Sequence, residues 1–284
     1  MDEALKTKIL QDIIQNGYLT ELRIGEICKK CKWDVKYNQA YLDSKTKKSR
    51  EVDIVASYHG KCDNNEFVSV TINLVIESKK SDKPWVVFCT PKEKYSFEDV
   101  SYRLVRRDNF TFQLLDEEFD GYIRKKIPFR GRNYYEAFKK YSEESKIYEA
   151  IISCSKATHY FKDLKENNSF YNKNGLDFKF NDQITLEFYL PVIILEGILV
   201  KVTLDKKGSG ILEEESYIPL VASYHDEDGS EIKFLPDLIT VPYIEQYLAA
   251  IEYWINKVTK KINQGREKLW NEFVQKGKND ENSR

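Results

Sequence analysis

Asp53, Glu77 and Lys79 are the residues whose types and spacing could do chemistry together. Asp53 stands in the run Glu51-Val52-Asp53-Ile54-Val55-Ala56, and Glu77-Ser78-Lys79 closes a longer apolar run at Leu74-Val75-Ile76. Strand residues two apart point the same way. Glu77 and Lys79 therefore project together, and beside Asp53 if the two strands pair. Two carboxylates and an ammonium on one face can hold a hard divalent cation and orient a water.

The alternation around these residues agrees with that arrangement. Val68, Val70, Ile72, Leu74 and Ile76 form one face of the longer strand. Ser69, Thr71, Asn73, Val75, Glu77 and Lys79 form the other. Val52, Ile54 and Ala56 likewise alternate with Asp53, Val55 and Ser57. Each strand has an apolar side for a core and a mostly polar side, and all three candidates fall on the polar one. The acid-x-Lys triplet alone decides nothing, because it recurs at Asp34, Asp43, Glu144, Asp163, Asp177, Asp205 and Glu231. Only Glu77 has both a long apolar strand and an acid on the strand before it.

The elements that must position these residues can be read outward from them. Helices are predicted over 2–15, with Leu5, Ile9, Ile13 and Ile14 on one stripe, and over 19–31, with Leu22, Ile24, Ile27, Cys28 and Cys31 toward a core. Strands follow at 33–42, 51–58, 66–78 and 85–90. Beyond residue 92 the pattern predicts a helix near 97–107, a short strand at 109–114 and a long amphipathic helix over 132–164. A second β-rich stretch opens at Leu186, with further strands near 198–204, 215–224 and 232–240. Pro242 starts a final helix that runs to about residue 275. The expected class is mixed α/β: residues 1–130 form a core with a central mixed sheet flanked by helices, and residues 131–284 an α+β extension packed on it.

Composition sets the boundaries. With 284 residues the chain can bury a large core. Its longest apolar run, Leu190 to Leu195, is far too short to span a bilayer. Met1-Asp2-Glu3-Ala4-Leu5-Lys6 lacks the plan of a secretory signal, and 5 irregularly spaced Cys argue for reduced thiols in the cytoplasm. Net charge is −1, so no global field draws in nucleic acid. Local basic stretches could grip phosphates instead: Lys47, Lys48 and Arg50 before the Asp53 strand, Lys80 after Lys79, and Arg124, Lys125, Lys126, Arg130 and Arg132. No Gly-rich phosphate loop is present, and Cys28-x-x-Cys31 has no second pair to complete a zinc site.

Taken together, Gly17-Tyr18-Leu19-Thr20-Glu21-Leu22, Ser49-Arg50-Glu51-Val52-Asp53-Ile54-Val55-Ala56 and Ile76-Glu77-Ser78-Lys79-Lys80 with Lys83-Pro84-Trp85-Val86 resemble the PD-(D/E)xK restriction-endonuclease-like superfamily. The likeness covers about residues 17–90, with Val52 in place of the Pro before the acid. The region from Leu190 to the last helix is similar to the tail of uncharacterised bacterial members.

The resemblance implies a metal-dependent nuclease, with DNA favoured as substrate and defence against foreign DNA as a role. It implies that Asp53 and Glu77 ligate Mg²⁺ or Mn²⁺, with the Ser78 backbone carbonyl a further oxygen. Lys79 would position a water or stabilise developing charge, and Glu21 matches the helix acid that holds a second metal or a water. The same residues leave open a catalytically silent subunit that binds nucleic acid or a partner. A homodimer or partner face on the last helix, through Leu248, Ile251, Trp254, Ile255 and Val258, is also open.

Overall fold

The computed structural model describes residues 1–15, 17–60, 68–92, 104–106, 127–140, 145–168, 184–225 and 229–264. Helices α1 (Glu3–Gln15) and α2 (Tyr18–Lys30) precede strands β1 (Asp34–Asp43), β2 (Lys48–His59) and β3 (Val68–Lys80). Strands β4 (Trp85–Pro91), β5 (Leu104–Arg106) and β6 (Phe129–Glu136) follow, then helix α3 (Lys146–Asn168). The second half contributes β7 (Ile184–Glu196), β8 (Leu199–Leu204), β9 (Gly210–Glu214), β10 (Tyr217–Pro219), β11 (Ala222–His225), β12 (Glu231–Phe234) and β13 (Asp237–Thr240). A 3-10 turn at Val241–Tyr243 leads into α4 (Ile244–Gln264).

The class is mixed α/β, with a central mixed sheet flanked by helices. Its order is β1-β2-β3-β7-β13-β10, and β5 pairs with β7. Strands β1, β2 and β3 form an antiparallel meander, whereas β3, β7 and β13 run parallel. One face carries Ile54, Ala56, Val70, Ile72, Leu74 and Ile76 into a core with Ile24 and Cys28 of α2 and Tyr247, Leu248, Ile251, Trp254 and Ile255 of α4. The other face packs on α3, through Val75 and Tyr189 against Ala157 and through Ile193 and Leu195 against Ile147 and Ile151. Burying a large apolar side chain stabilises by about 1.5–3 kcal/mol. The α4 stripe is therefore core of this chain and not a free partner face. No described helix is long and apolar enough to cross a membrane.

A second sheet, β6-β4-β8-β9, continues from the first. The parallel pair β3–β7 passes directly into the parallel pair β4–β8. Both segments turn together, since Ser81 N–H donates to Glu196 O at 3.1 Å and Trp85 N–H to Ile198 O at 2.9 Å. Gly197 permits this approach, because a Cβ there would lie 2.5 Å from the Ser81 carbonyl.

The structure differs from the sequence expectations in four places. Residues 129–136 form a strand where a helix over 132–164 was expected, and α3 starts only at Lys146. Phe129, Tyr134 and Tyr135 suit a strand. Gly131 lets that strand lie close to its neighbours, since a Cβ there would stand 2.5 Å from Val87. Residues 104–106 are a strand against β7, not the end of a helix, and 109–114 lies outside the described residues. The α1 stripe stays open, with Leu5, Ile9, Leu10 and Ile14 exposed, as is Leu22 on α2. Finally, a boundary at residue 130 falls inside β6, and β7, β13 and β10 complete the sheet that β1 to β3 begin.

Candidate active site

The ladder between β2 and β3 places the two acids. It pairs Val55 with Val75 and Ile54 with Ile76, so Asp53 and Glu77 are the next residues along, opposite each other where the pairing stops. On the other flank the β1–β2 register passes from Tyr37–Ile54 to Gln39–Val52 and skips Asn38, whose φ is 50°. Asn tolerates this left-handed backbone better than most residues. The register does not shift there, so Asp53 and Asn38 lie opposite each other unpaired, and Asp53 lacks a ladder partner on both sides.

Asp53 Oδ2 accepts from Ser78 N–H at 2.7 Å and from Ser78 Oγ at 2.8 Å, in place of ladder bonds. Glu77 is 6% exposed, and its Oε1 accepts from Lys79 Nζ at 2.7 Å. The i and i+2 positions therefore do project together, as the alternation requires. Glu21, in the first turn of α2, is half-buried and close enough for Asp53 and Lys79 to act on its charge. Asp53, Glu77 and Lys79 adjoin one another on β2 and β3, and Glu21 lies within range of the charges of Asp53 and Lys79.

The electrostatics follow from burial and like charge. Burial, then the charge of Asp53, pushes Glu77 up to about 7, with Lys79 pulling the other way. Burial and Asp53 also raise Glu21. For Lys79, burial opposes the cation, but Glu77, Asp53 and Glu149 outweigh it and hold the ammonium above its ordinary range. The site is a cluster of acids around one retained cation.

Three further side chains belong here. Ser153 Oγ donates toward Glu77 Oε2 at 3.5 Å, and Tyr41 OH meets Ser153 Oγ at 3.2 Å. Glu149, one turn before Ser153 on α3, acts on both Glu77 and Lys79. Sequence reasoning missed all three. The Ser153–Glu77 and Tyr41–Ser153 contacts span 76 and 112 positions, and no local spacing marks them.

The basic candidates disperse. Lys47 and Lys48 are exposed in the β1–β2 turn, but Arg50 Nε lies 3.0 Å from Asp43 Oδ2. Lys80 Nζ donates to Ile14 O at 3.2 Å and thereby caps the end of α1. Arg130 is 2% exposed and donates to the Phe129 carbonyl at 3.0 Å, so it presents no charge at the surface. Arg132 Nε donates to Thr90 Oγ1 at 3.3 Å. Arg124, Lys125 and Lys126 lie outside the described residues.

Metal capacity can be judged from the donors. Among the described residues no three or more His, Cys, Asp or Glu side chains come close enough to hold an ion together. Glu21 therefore does not complete a three-carboxylate cage with Asp53 and Glu77. A pair of carboxylates still suits Mg²⁺, which binds through one or two carboxylates and keeps several waters. The Ser78 bonds fix Asp53 by one oxygen, as supporting contacts do for a ligand. The chain matches no family model, no curated protein and no solved structure with which it was compared.

Proposed function

We propose that this chain is a metal-dependent nuclease of the PD-(D/E)xK type, hydrolysing phosphodiester bonds in DNA in the cytoplasm, with defence against foreign DNA as its setting. One observation carries the reading: Asp53 and Glu77 stand opposite each other at the end of the β2–β3 ladder, with Lys79 bonded to Glu77. Lys79 Nζ bonds Glu77 at 2.7 Å, and Asp53, Glu149 and Glu21 add further negative charge within range of the pair.

Asp53 and Glu77 would hold Mg²⁺ or Mn²⁺, with the Ser78 carbonyl and waters filling the remaining positions. The ion supplies polarisation of the phosphodiester and a water of lowered pKa. Lys79, kept protonated by the surrounding acids, orients the attacking water and stabilises charge that develops on the phosphate oxygens. Glu21 would accept a proton or hold a water at the rim. Ser78 holds Asp53, and Ser153 backed by Tyr41 holds Glu77.

The test is incubation of purified protein with plasmid and linear DNA in Mg²⁺, Mn²⁺ or EDTA, beside Glu77→Gln and Lys79→Ala. Metal-dependent nicking by the wild type alone is the expected result. Cleavage that survives both substitutions would overturn the assignment. DNA binding with no cleavage by any protein would identify the silent binding subunit instead.

A further inference from the structure

Among the described residues the β9 edge of the second sheet is unpaired. β9 pairs with β8 on one side, and among the described residues no strand pairs with its other side. All five of its residues are exposed, and Leu212 and Leu204 are 68% and 72% exposed. The register sets Val202 opposite Leu212 and Leu204 opposite Gly210, so the two leucines lie diagonally on one face. An edge of this kind offers a row of ladder donors and acceptors next to apolar surface, which invites another strand.

The charge along β9 selects which strand. Lys206 and Lys207 lie in the turn before it, and Glu213, Glu214 and Glu215 lie at its end. On β8, Lys201 already holds Glu213 at 2.9 Å and Glu215 at 2.6 Å. We propose that two copies of this chain dimerise by antiparallel pairing of β9 with β9 about a two-fold axis at Leu212. Two four-stranded sheets then become one of eight strands. Leu212 meets Leu212 of the second copy, Ile211 faces Glu213, and Gly210 faces Glu214. The basic turn of each copy falls beside the acidic end of the other, twice.

Two antiparallel registers and the parallel one are disfavoured by charge. A register centred on Glu213 or Glu214 sets like charges directly opposite, which is destabilising. Parallel pairing puts lysine turn against lysine turn. The two-fold arrangement is isologous and closes, so it makes a dimer and not a fibre. It is also small: five residues a side bury less than the roughly 800 Å² per partner of a standard interface. The dimer is therefore a weak one.

Sedimentation of the full chain from about 1 to 300 μM tests this. The expected result is a mass that rises with concentration toward twice the monomer and falls back at high salt. Leu212→Lys and Lys207→Glu, both at exposed positions that leave the fold intact by circular dichroism, each weaken the dimer by about tenfold or more. Combining Lys207→Glu with Glu214→Lys restores it, because both contacts again join opposite charges. A monomer at every concentration overturns the proposal, as does a dimer indifferent to both single substitutions. Failure of the double variant to recover overturns the antiparallel arrangement.

Discussion

Two buried carboxylates in this molecule each hold a lysine, yet their surroundings push them in opposite directions. Asp43, 1% exposed, accepts from Lys156 Nζ at 3.0 Å on both oxygens, from Arg50 Nε at 3.0 Å and from the Lys45 N–H at 3.0 Å. Burial works against its charge, but Lys156 and the Thr46 amide bring its carboxyl below the ordinary range. Glu77 has one lysine and a distant serine, and burial, then the charge of Asp53, raises it to about 7. The difference separates an acid whose charge is satisfied from one whose charge is opposed. Asp43 is satisfied by donors that pin the β1–β2 turn to α3, whereas Glu77 is held against like charge that a cation would relieve.

Substitution at the two sites should break the comparison most visibly in activity. Glu77→Gln is expected to lower metal-dependent DNA cleavage on the order of 10³-fold, whereas Asp43→Asn leaves the specific activity of folded protein within about threefold. Plasmid nicking rates measure both. Stability should reverse the order. Asp43→Ala leaves the largely buried Lys156 of α3 without its carboxylate and is expected to cost about 3 kcal/mol in urea unfolding, while Glu77→Gln changes stability by less than about 1 kcal/mol.

Acidity sharpens the contrast. The stabilisation from Asp43 is complete above its unfolded value near about 4 and is lost as pH falls through its lowered folded value. Glu77 behaves oppositely, because a raised carboxyl binds its proton more tightly in the fold. Its contribution is complete below about 4 and is lost as pH rises through about 7. Metal-free protein should therefore lose on the order of 1–2 kcal/mol between pH 6 and 8, and Glu77→Gln should flatten that slope. Urea melts across pH measure it. The smallest effect belongs to Ser153→Ala, which loosens Glu77 and is expected to weaken Mn²⁺ binding by at most about tenfold in calorimetry, with Tyr41→Phe weaker still.

Much of this was legible in the chain, and the reasons are local. β2, β3 and β4 could be drawn from alternation, because one buried face imposes a two-residue period on the side chains. The same logic put Asp53, Glu77 and Lys79 together. It failed at β9, where all five residues are exposed and Gly210-Ile211-Leu212-Glu213-Glu214 carries no buried face to read. It failed at β6, where the helical pattern of α3 ran on into residues that pair with β4. The recurrence of Val55-Ala56-Ser57-Tyr58-His59 at Val221-Ala222-Ser223-Tyr224-His225 shows the limit well. One copy lies inside the seven-stranded sheet and the other in a two-stranded ribbon, so identical residues found different partners.

The sequence by itself determined the faces: which residues of β2 and β3 turn toward the α2–α4 core and which toward the site. That follows from backbone geometry, which acts over two residues at a time. Only the tertiary structure decided that β7 lies parallel along β3, that the ladder ends at Asp53 and Glu77, and that α3 brings Glu149 and Ser153 over them. Those contacts join segments up to 116 positions apart, as in the Val68–Ile184 pair. They are chosen by the burial of whole faces against one another, a property that no short stretch of chain carries.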